Sequence, residues 1–386
     1  SIECENVAVG SLRTTQGQLI SMDINTVSRP DDHNAEVTLY CSNGFISLGG
    51  IAANKVLKCT DDYPDHLNED FPNAYGFGHE KFYLEIEKFL GSGDKKNILS
   101  LEELDRLCNT FIDLGVKKLR ITGGEPLVRK NIMQLFNSLG SKLGKGLEEL
   151  TLTTNGSQLD RYADDLFKSG VRRINISLDS LNENKFKKIT RIGNLSKVLK
   201  GIDAAKKAGL KIKINTVALK CINDDEILNL VNWCGENKFS LTFIEVMPMG
   251  EIGEKRVNQF MPLTEVKSLI QKKYSITKDP LRTAGPATYM HCHETDQKIG
   301  FITPNTHNFC ESCNRVRVTC TGEMYMCLGQ QDKADLKTPL RKSENNQILK
   351  DTIYEAISRK PKGHDFIISR KKEEKFVPRH MNVTGG

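Results

Sequence analysis

The sequence predicts an α/β protein: a partial (β/α) barrel, followed by a cysteine-bearing C-terminal region and preceded by a separate antiparallel sheet fragment. Three observations predict it. Short apolar strands alternate with helical segments through the middle of the chain, a rhythm that builds parallel sheets with crossover helices. The first 94 residues carry hairpin signals instead, and their charge has the opposite sign, with 6 Lys and Arg against 15 Asp and Glu there and 49 against 34 in the remainder. Four cysteines, Cys310, Cys313, Cys320 and Cys327, crowd into eighteen positions near the end.

The elements follow in order. Leu12 to Ile24 alternates and reads as a strand pair. Val37 to Cys41 and Phe45 to Leu48 flank Ser42-Asn43-Gly44, and Asn-Gly between alternating apolar residues is a hairpin signal. Tyr83, Ile86 and Phe89 sit at helical spacing, and Gly91-Ser92-Gly93 then breaks the chain. Beyond it Ser100 caps a helix, with Glu103 in the capping-box position and Leu104, Leu107, Cys108, Phe111 and Ile112 as its apolar stripe. Strands are expected near Leu119, Leu150, Ile174, Ile214 and Phe243, and helices over Leu159 to Lys168 and Leu195 to Ala208. From about residue 275 the pattern dissolves into an irregular tail. The expected domains are therefore 1–94, 95–275 and 276–386.

A chain of 386 residues with 38% hydrophobic and 27% charged side chains has ample material for a core. That composition excludes a disordered tail, a collagen-like rod and a disulfide-dense miniprotein. No apolar run reaches membrane length and no leader is evident, so a cytoplasmic protein is expected. The basic part suits an anionic ligand such as a nucleotide, although a lysine-rich soluble surface explains it equally well.

Two stretches carry candidate chemistry. Cys310-x2-Cys313-x13-Cys327 can hold an iron-sulfur cluster with one iron left open. The same spacing allows structural zinc with Cys320 or His307 as fourth ligand, and spacing alone favours zinc. Arg315 and Arg317 alternate beside it; planar guanidiniums there suit an oxyanion, or else form a solvated strand face. In LRITGGEPLVRK, Gly123-Gly124 follows a strand directly and lets a ligand approach the backbone, or else simply makes a tight turn.

Those motifs, read together, carry a resemblance. RITGGEPLVRK, LTTNG, RRINISLDS, FIEVMPMG, FCESCNRVRVT with its third cysteine, and the closing Gly385-Gly386 occur in order over about three quarters of the chain. From about Lys95 onward the chain resembles the GTP 3′,8-cyclase family of molybdenum cofactor biosynthesis, which are radical S-adenosylmethionine enzymes. The resemblance implies a partial TIM-like barrel and a C-terminal [4Fe–4S] cluster on Cys310, Cys313 and Cys327, its open iron facing the guanine of GTP, in place of zinc. Arg120, Thr153, Lys213, Arg315 and Arg317 match GTP-contacting positions, and Gly124, Ser177 and Met247 match positions around S-adenosylmethionine. The Gly385-Gly386 tail would enter the active site and join Arg120, Arg315 and Arg317 in catalysis. Thr242 stands where some members carry Arg. GTP is the expected partner, nucleic acid and membrane are not, and a homodimer is compatible with the resemblance.

One departure stands out. Such enzymes need a first [4Fe–4S] cluster on Cys-x3-Cys-x2-Cys, which delivers the electron that cleaves the sulfonium. Here Cys4, Cys41 and Cys59 are spaced by 37 and 18. The barrel is therefore expected to lack its first strand, and turnover to be lost. VTLYCSNGFISLGGIAANKV and YGFGHEKFYLEIEKFLGSG are instead similar to the C-terminal sheet domain of the glucose-fructose oxidoreductase family of sugar dehydrogenases. That family's nucleotide loop and catalytic lysine are not in this sequence, so dehydrogenase activity is not expected and His79 reads as a capping or surface histidine. The chain reads as a junction of two incomplete genes near residues 93–96, with a non-catalytic Fe–S and GTP-binding module as the alternative to an enzyme. The acidic sheet is not expected to replace the missing strand.

Overall fold

The computed structural model describes the backbone of five strands before residue 60, and then residues 98–247, 249, 256–280, 285–305 and 313–361, with the side chains of 256 and 257 excepted. The chain divides into two units, Ser1–Lys96 and Asn97–Gly386.

In the first unit β1 (Val7–Arg13), β2 (Leu19–Asn25), β3 (Val37–Cys41), β4 (Gly44–Gly49) and β5 (Lys55–Cys59) form one antiparallel sheet in that order. The strand pair expected from Leu12 to Ile24 is present, with Leu12 opposite Ile20. The Asn-Gly hairpin is present too, with Cys41 opposite Gly44. The expected helix around Tyr83 and the Gly91–Gly93 breaker lie outside the described residues, as does His79.

The second unit opens on the predicted helix, α1 (Leu101–Asp113). The Glu103 N–H donates to Ser100 Oγ at 3.1 Å and the Ser100 N–H to Glu103 Oε2 at 2.7 Å, closing a capping box. Its apolar stripe serves two cores. Ile112 joins the main one, and Leu107 and Phe111 join a second built with Met324, Leu336, Leu349 and Ile353. Each such side chain taken from water contributes about 1.5–3 kcal/mol, so this one helix welds the two parts of the unit together.

Strands β6 (Lys118–Ile121), β7 (Glu149–Thr154), β8 (Arg173–Ser177), β9 (Lys211–Ala218) and β10 (Ser240–Glu245) appear where the sequence placed them and run parallel. The intervening helices include α2 (Ile132–Gly140), α3 (Leu159–Lys168), α4 (Glu183–Thr190), α5 (Leu195–Lys207) and α6 (Ile227–Glu236). Helices α7 (Arg256–Gln259) and α8 (Leu263–Gln271) lead into a tail that is more regular than expected. β11 (Ile276–Lys278), β12 (Thr288–Cys292) and β13 (Gln297–Ile302) extend the same sheet, with β13 parallel to β10 from Leu241↔Ile299 to Ile244↔Ile302. The sequence reading failed there because these strands are specified by their neighbours rather than by their own periodicity.

The resulting eight-stranded sheet is a partial-barrel type, ordered β11-β12-β13-β10-β9-β8-β7-β6, with β6 at its edge among the described residues. A small antiparallel sheet follows, made of β14 (Arg317–Val318), β15 (Glu323–Tyr325) and β16 (Lys333–Asp335). It packs with α9 (Gln347–Ser358) in the second core.

Parallel strands covered on both faces normally read as continuous apolar runs. Here they alternate. Ile174, Ile176, Ile212, Ile214, Leu241 and Phe243 are buried in the helix-facing core, while Arg173, Asn175, Ser177, Lys213, Asn215 and Thr242 occupy the other face. A polar inner face on parallel strands marks a cavity rather than a core.

Candidate active site

The site is assembled on that polar face and on the small sheet. Arg120 lies on β6 opposite Thr151 of β7, and Thr153, two residues on, lies opposite Asn175 of β8. Asn175 Nδ2 donates to Thr153 Oγ1 at 3.4 Å, and Arg173 donates to Asn175 Oδ1 at 3.3 Å and to Glu149 Oε1 at 2.5 Å. Glu149 also pairs with Lys118. Burial alone would raise the Glu149 carboxyl, but these two cations hold it below its ordinary range. One wall thus runs Glu149–Arg173–Asn175–Thr153, each group fixed by the next.

Lys213 on β9 stands opposite Asn175, and its ammonium donates to Tyr289 Oη at 2.7 Å. Burial depresses the Lys213 ammonium below its ordinary range; Tyr289 opposes the shift, while Arg173 and Arg120 add to it by repulsion. Arg120 is lowered in the same way, first by the protein around it and then by Arg173 and Arg315. Its side chain is nonetheless exposed. Arg317 is pushed down to about 10 by burial, then by Arg315 and Arg120, with Cys313 and Cys327 pulling the other way. Arg120, Arg315 and Arg317 therefore converge, and the two thiols lie beside them.

Cys313 is suited to ligate. Burial is the largest influence and would raise its thiol, yet the Arg315 backbone N–H bonded to it, the Arg315 charge and Lys360 bring it below the ordinary value. A thiol drawn toward thiolate is the form a cluster takes as ligand. Cys310 lies outside the described residues, and among the described residues no three His, Cys, Asp or Glu gather as a metal site. Gly385 and Gly386 also lie outside them. Cys320 is exposed, and His307 is not among the described residues.

The expected S-adenosylmethionine positions lie at strand ends. Ser177 closes β8 and is exposed. Gly123, beside Gly124, has φ +157° and open space where a Cβ would point. Glu125 braces that loop. It accepts from Thr154 Oγ1 at 2.8 Å, the Asn155 N–H at 2.7 Å and the Leu127 N–H at 3.0 Å. Met247, beyond β10, packs with Leu328 against Met249, which joins that strand end to the residue after Cys327. Arg129 turns away from the site to donate to Leu99 O at 2.5 Å.

Sequence reasoning missed Arg173, Asn175 and Tyr289. The signal for the first two was present: RINIS and KIKIN alternate charge and isoleucine on strands that should be apolar throughout. Tyr289 arrives from the segment read as irregular and gave no such signal.

A parallel sheet with a cationic inner wall and cysteines at its mouth, whose residues 68–234 match the radical SAM superfamily and 239–366 the Molybdenum Cofactor Synthesis C model, defines a radical S-adenosylmethionine type of enzyme. GTP 3′,8-cyclases are close in sequence. That of Rhizobium etli strain CIAT 652 is 59% identical over 292 residues, 76% of this chain and 84% of that protein. That of Mesorhizobium japonicum is 59% identical over 293 residues, 76% and 88%. That of Paracoccus denitrificans strain Pd 1222 is 58% identical over 293 residues, 76% and 85%. The chain belongs to the GTP 3′,8-cyclase family of molybdenum cofactor biosynthesis, enzymes that work by radical S-adenosylmethionine chemistry. Among solved structures, Streptococcus suis SuiB bound to S-adenosylmethionine is 14% identical with a TM-score of 0.47, covering 91% of this chain and 100% of that one, too remote to add to the assignment. The likeness of residues 1–93 to sugar dehydrogenases finds no support in these matches, and the radical SAM match itself begins at residue 68, inside that stretch.

Proposed function

We propose that this chain binds GTP for conversion to the cyclic pyranopterin precursor, its phosphates and base held by Arg120, Thr153, Lys213, Arg315 and Arg317. The single observation that supports this is the convergence of Arg120, Arg315 and Arg317 with the thiols of Cys313 and Cys327. Cations that repel one another across a shared wall favour an anion between them, and the guanidinium forks suit phosphate oxygens. Cys310, Cys313 and Cys327 would hold a [4Fe–4S] cluster, which when bound offers one thiolate-free iron to the purine. Gly124, Ser177 and Met247 would seat S-adenosylmethionine, the radical source. The chain's own residues bind, orient and screen: Thr153 is fixed by Asn175, Lys213 by Tyr289, and Glu125 fixes the glycine loop. Gly385-Gly386 would add a tail that enters the active site.

The eleven cysteines of these 386 residues include no Cys-x3-Cys-x2-Cys. That favours a finer reading in which this polypeptide binds GTP and one cluster but does not itself cleave S-adenosylmethionine. Anaerobic reconstitution with iron counting and nucleotide titration tests both levels. About four irons, GTP affinity and no 5′-deoxyadenosine are expected. About eight irons, or 5′-deoxyadenosine, would sink the reading without turnover. Zinc in place of iron, or indifference to GTP, would sink the whole.

A further inference from the structure

Lys360 has entered so far only as a charge acting on Cys313, yet its position is unusually constrained. It follows α9, which is fixed in the second core by Leu349, Ile353 and Ala356. Its own N–H donates to Ile357 O at 3.0 Å. The preceding residue, Arg359, is tied to Asp332 at 3.1 Å and to Glu355 at 2.7 Å. From this anchored helix end the half-buried Lys360 ammonium reaches two backbone carbonyls, Arg315 O at 2.9 Å and Met326 O.

Those carbonyls belong to the two segments that matter for the cluster. Arg315 is two residues after Cys313, and its N–H bonds to the Cys313 sulfur. Met326 is the residue before Cys327 and is almost wholly buried. One cation therefore clasps the residue whose N–H bonds to one thiol and the peptide that leads into the other. A solvated lysine would have no fixed partners; an ammonium with three donors, two of them spent on carbonyls from different loops, is a staple.

We infer that Lys360 is a positioning residue for the cluster, holding the Cys313 and Cys327 segments at ligating separation and fixing the Arg315 N–H on the Cys313 sulfur. This rests on the cluster reading above. Hydrogen bonds to cluster sulfurs and the groups that orient them tune both retention and potential, and losing such an outer partner typically costs roughly 10- to 100-fold in metal affinity.

The test uses the full chain, reconstituted anaerobically, as wild type, K360M and K360R. Iron release to excess ferrous chelator is timed, the reduced cluster is examined by electron paramagnetic resonance, and the iron-free proteins are melted. The expectation is that K360M releases iron roughly tenfold faster with a shifted resonance, while its iron-free form melts as wild type does and K360R restores most of the retention. Release at the wild-type rate from K360M overturns the inference and leaves the cluster reading intact. So does accelerated release that merely tracks a lowered melting temperature. A wild-type chain that takes up no iron overturns both.

Discussion

Replacing Lys213 with methionine should move stability and binding in opposite directions. The change keeps most of the aliphatic stem and deletes a charge. The Lys213 ammonium gains a hydrogen bond to Tyr289 at 2.7 Å, but burial and then repulsion from Arg173 and Arg120 outweigh it, since the net effect is a pKa below the ordinary 10.5. Its environment is thus worse than water, and the nucleotide-free K213M protein should melt higher than wild type. The pH dependence has a fixed sign. Between the folded value and 10.5 the unfolded chain binds the proton that the folded chain has lost, so wild-type stability rises with pH there, and K213M lacks that rise. With GTP the balance reverses. A hydrogen bond to a charged phosphate contributes about 1.5–3 kcal/mol, so K213M should bind GTP roughly 10- to 150-fold more weakly. Calorimetric titration at low ionic strength and thermal melting without nucleotide supply both numbers. A lowered melting temperature with unchanged GTP affinity would refute the reasoning, because it would make Lys213 a structural cation.

Three further changes test the scaffold around the site. Asp179 accepts from the Val217 N–H at 2.7 Å, and burial, only partly opposed by that bond, pushes its carboxyl up to about 6. Between 3.8 and about 6 the folded state binds the extra proton, so stability falls as pH rises through that window. D179N should flatten the profile and stabilise the protein at neutral pH by on the order of 1–2 kcal/mol, discounted because the residue is only half-buried, as urea titrations at two pH values would register. Glu125→Ala strips the acceptor from Thr154, Asn155 and Leu127 and should cost about 2–4 kcal/mol in a denaturant titration, with Glu125→Gln costing less. Gly140→Ala would drive a methyl group into the Ser169 carbonyl and should cost about 1–3 kcal/mol; an unchanged melting temperature would mean the packing between α2 and the turn after α3 is looser than described.

How much of this was legible beforehand depended on whether a residue's role was local. The capping box at Ser100 and Glu103, helix α3 and the five parallel strands were readable because each is set by its own neighbours in sequence. The strands after residue 275 were not, since the pairing of β13 with β10 exists only in three dimensions. The site divides the same way. Arg120, Lys213, Arg315 and Arg317 came from the family resemblance, and in the structure the charge of Arg120 acts on Lys213 and Arg317 and that of Arg315 on Arg120 and Arg317. Tyr289 and Lys360 act on residues 76 and 45 positions away, a range at which no spacing rule operates.

Several unfavourable features of the second unit lie on the polar inner face. Arg120, Arg173 and Lys213 repel one another there. Asn215 and Thr242, opposite each other across β9 and β10, leave Asn215 Oδ1 and Thr242 Oγ1 buried without a hydrogen-bond partner. Each such orphan costs about 1–3 kcal/mol, and proteins tolerate local violations of this kind where a ligand completes the arrangement. Two separate cores, one behind the sheet and one behind the small sheet, carry that cost without sharing side chains with the site. The orphan at Thr242 lies where the family resemblance leads one to expect an arginine in some members. In the proposed GTP site a threonine there would supply one cation fewer to the phosphates and leave a hydroxyl that can donate as well as accept. Thr242→Arg should therefore tighten GTP binding at low salt while lowering the stability of the nucleotide-free protein, because Thr242 is wholly buried and already fills the space beside Gly300, so the longer cation meets both crowding and an unpaired charge.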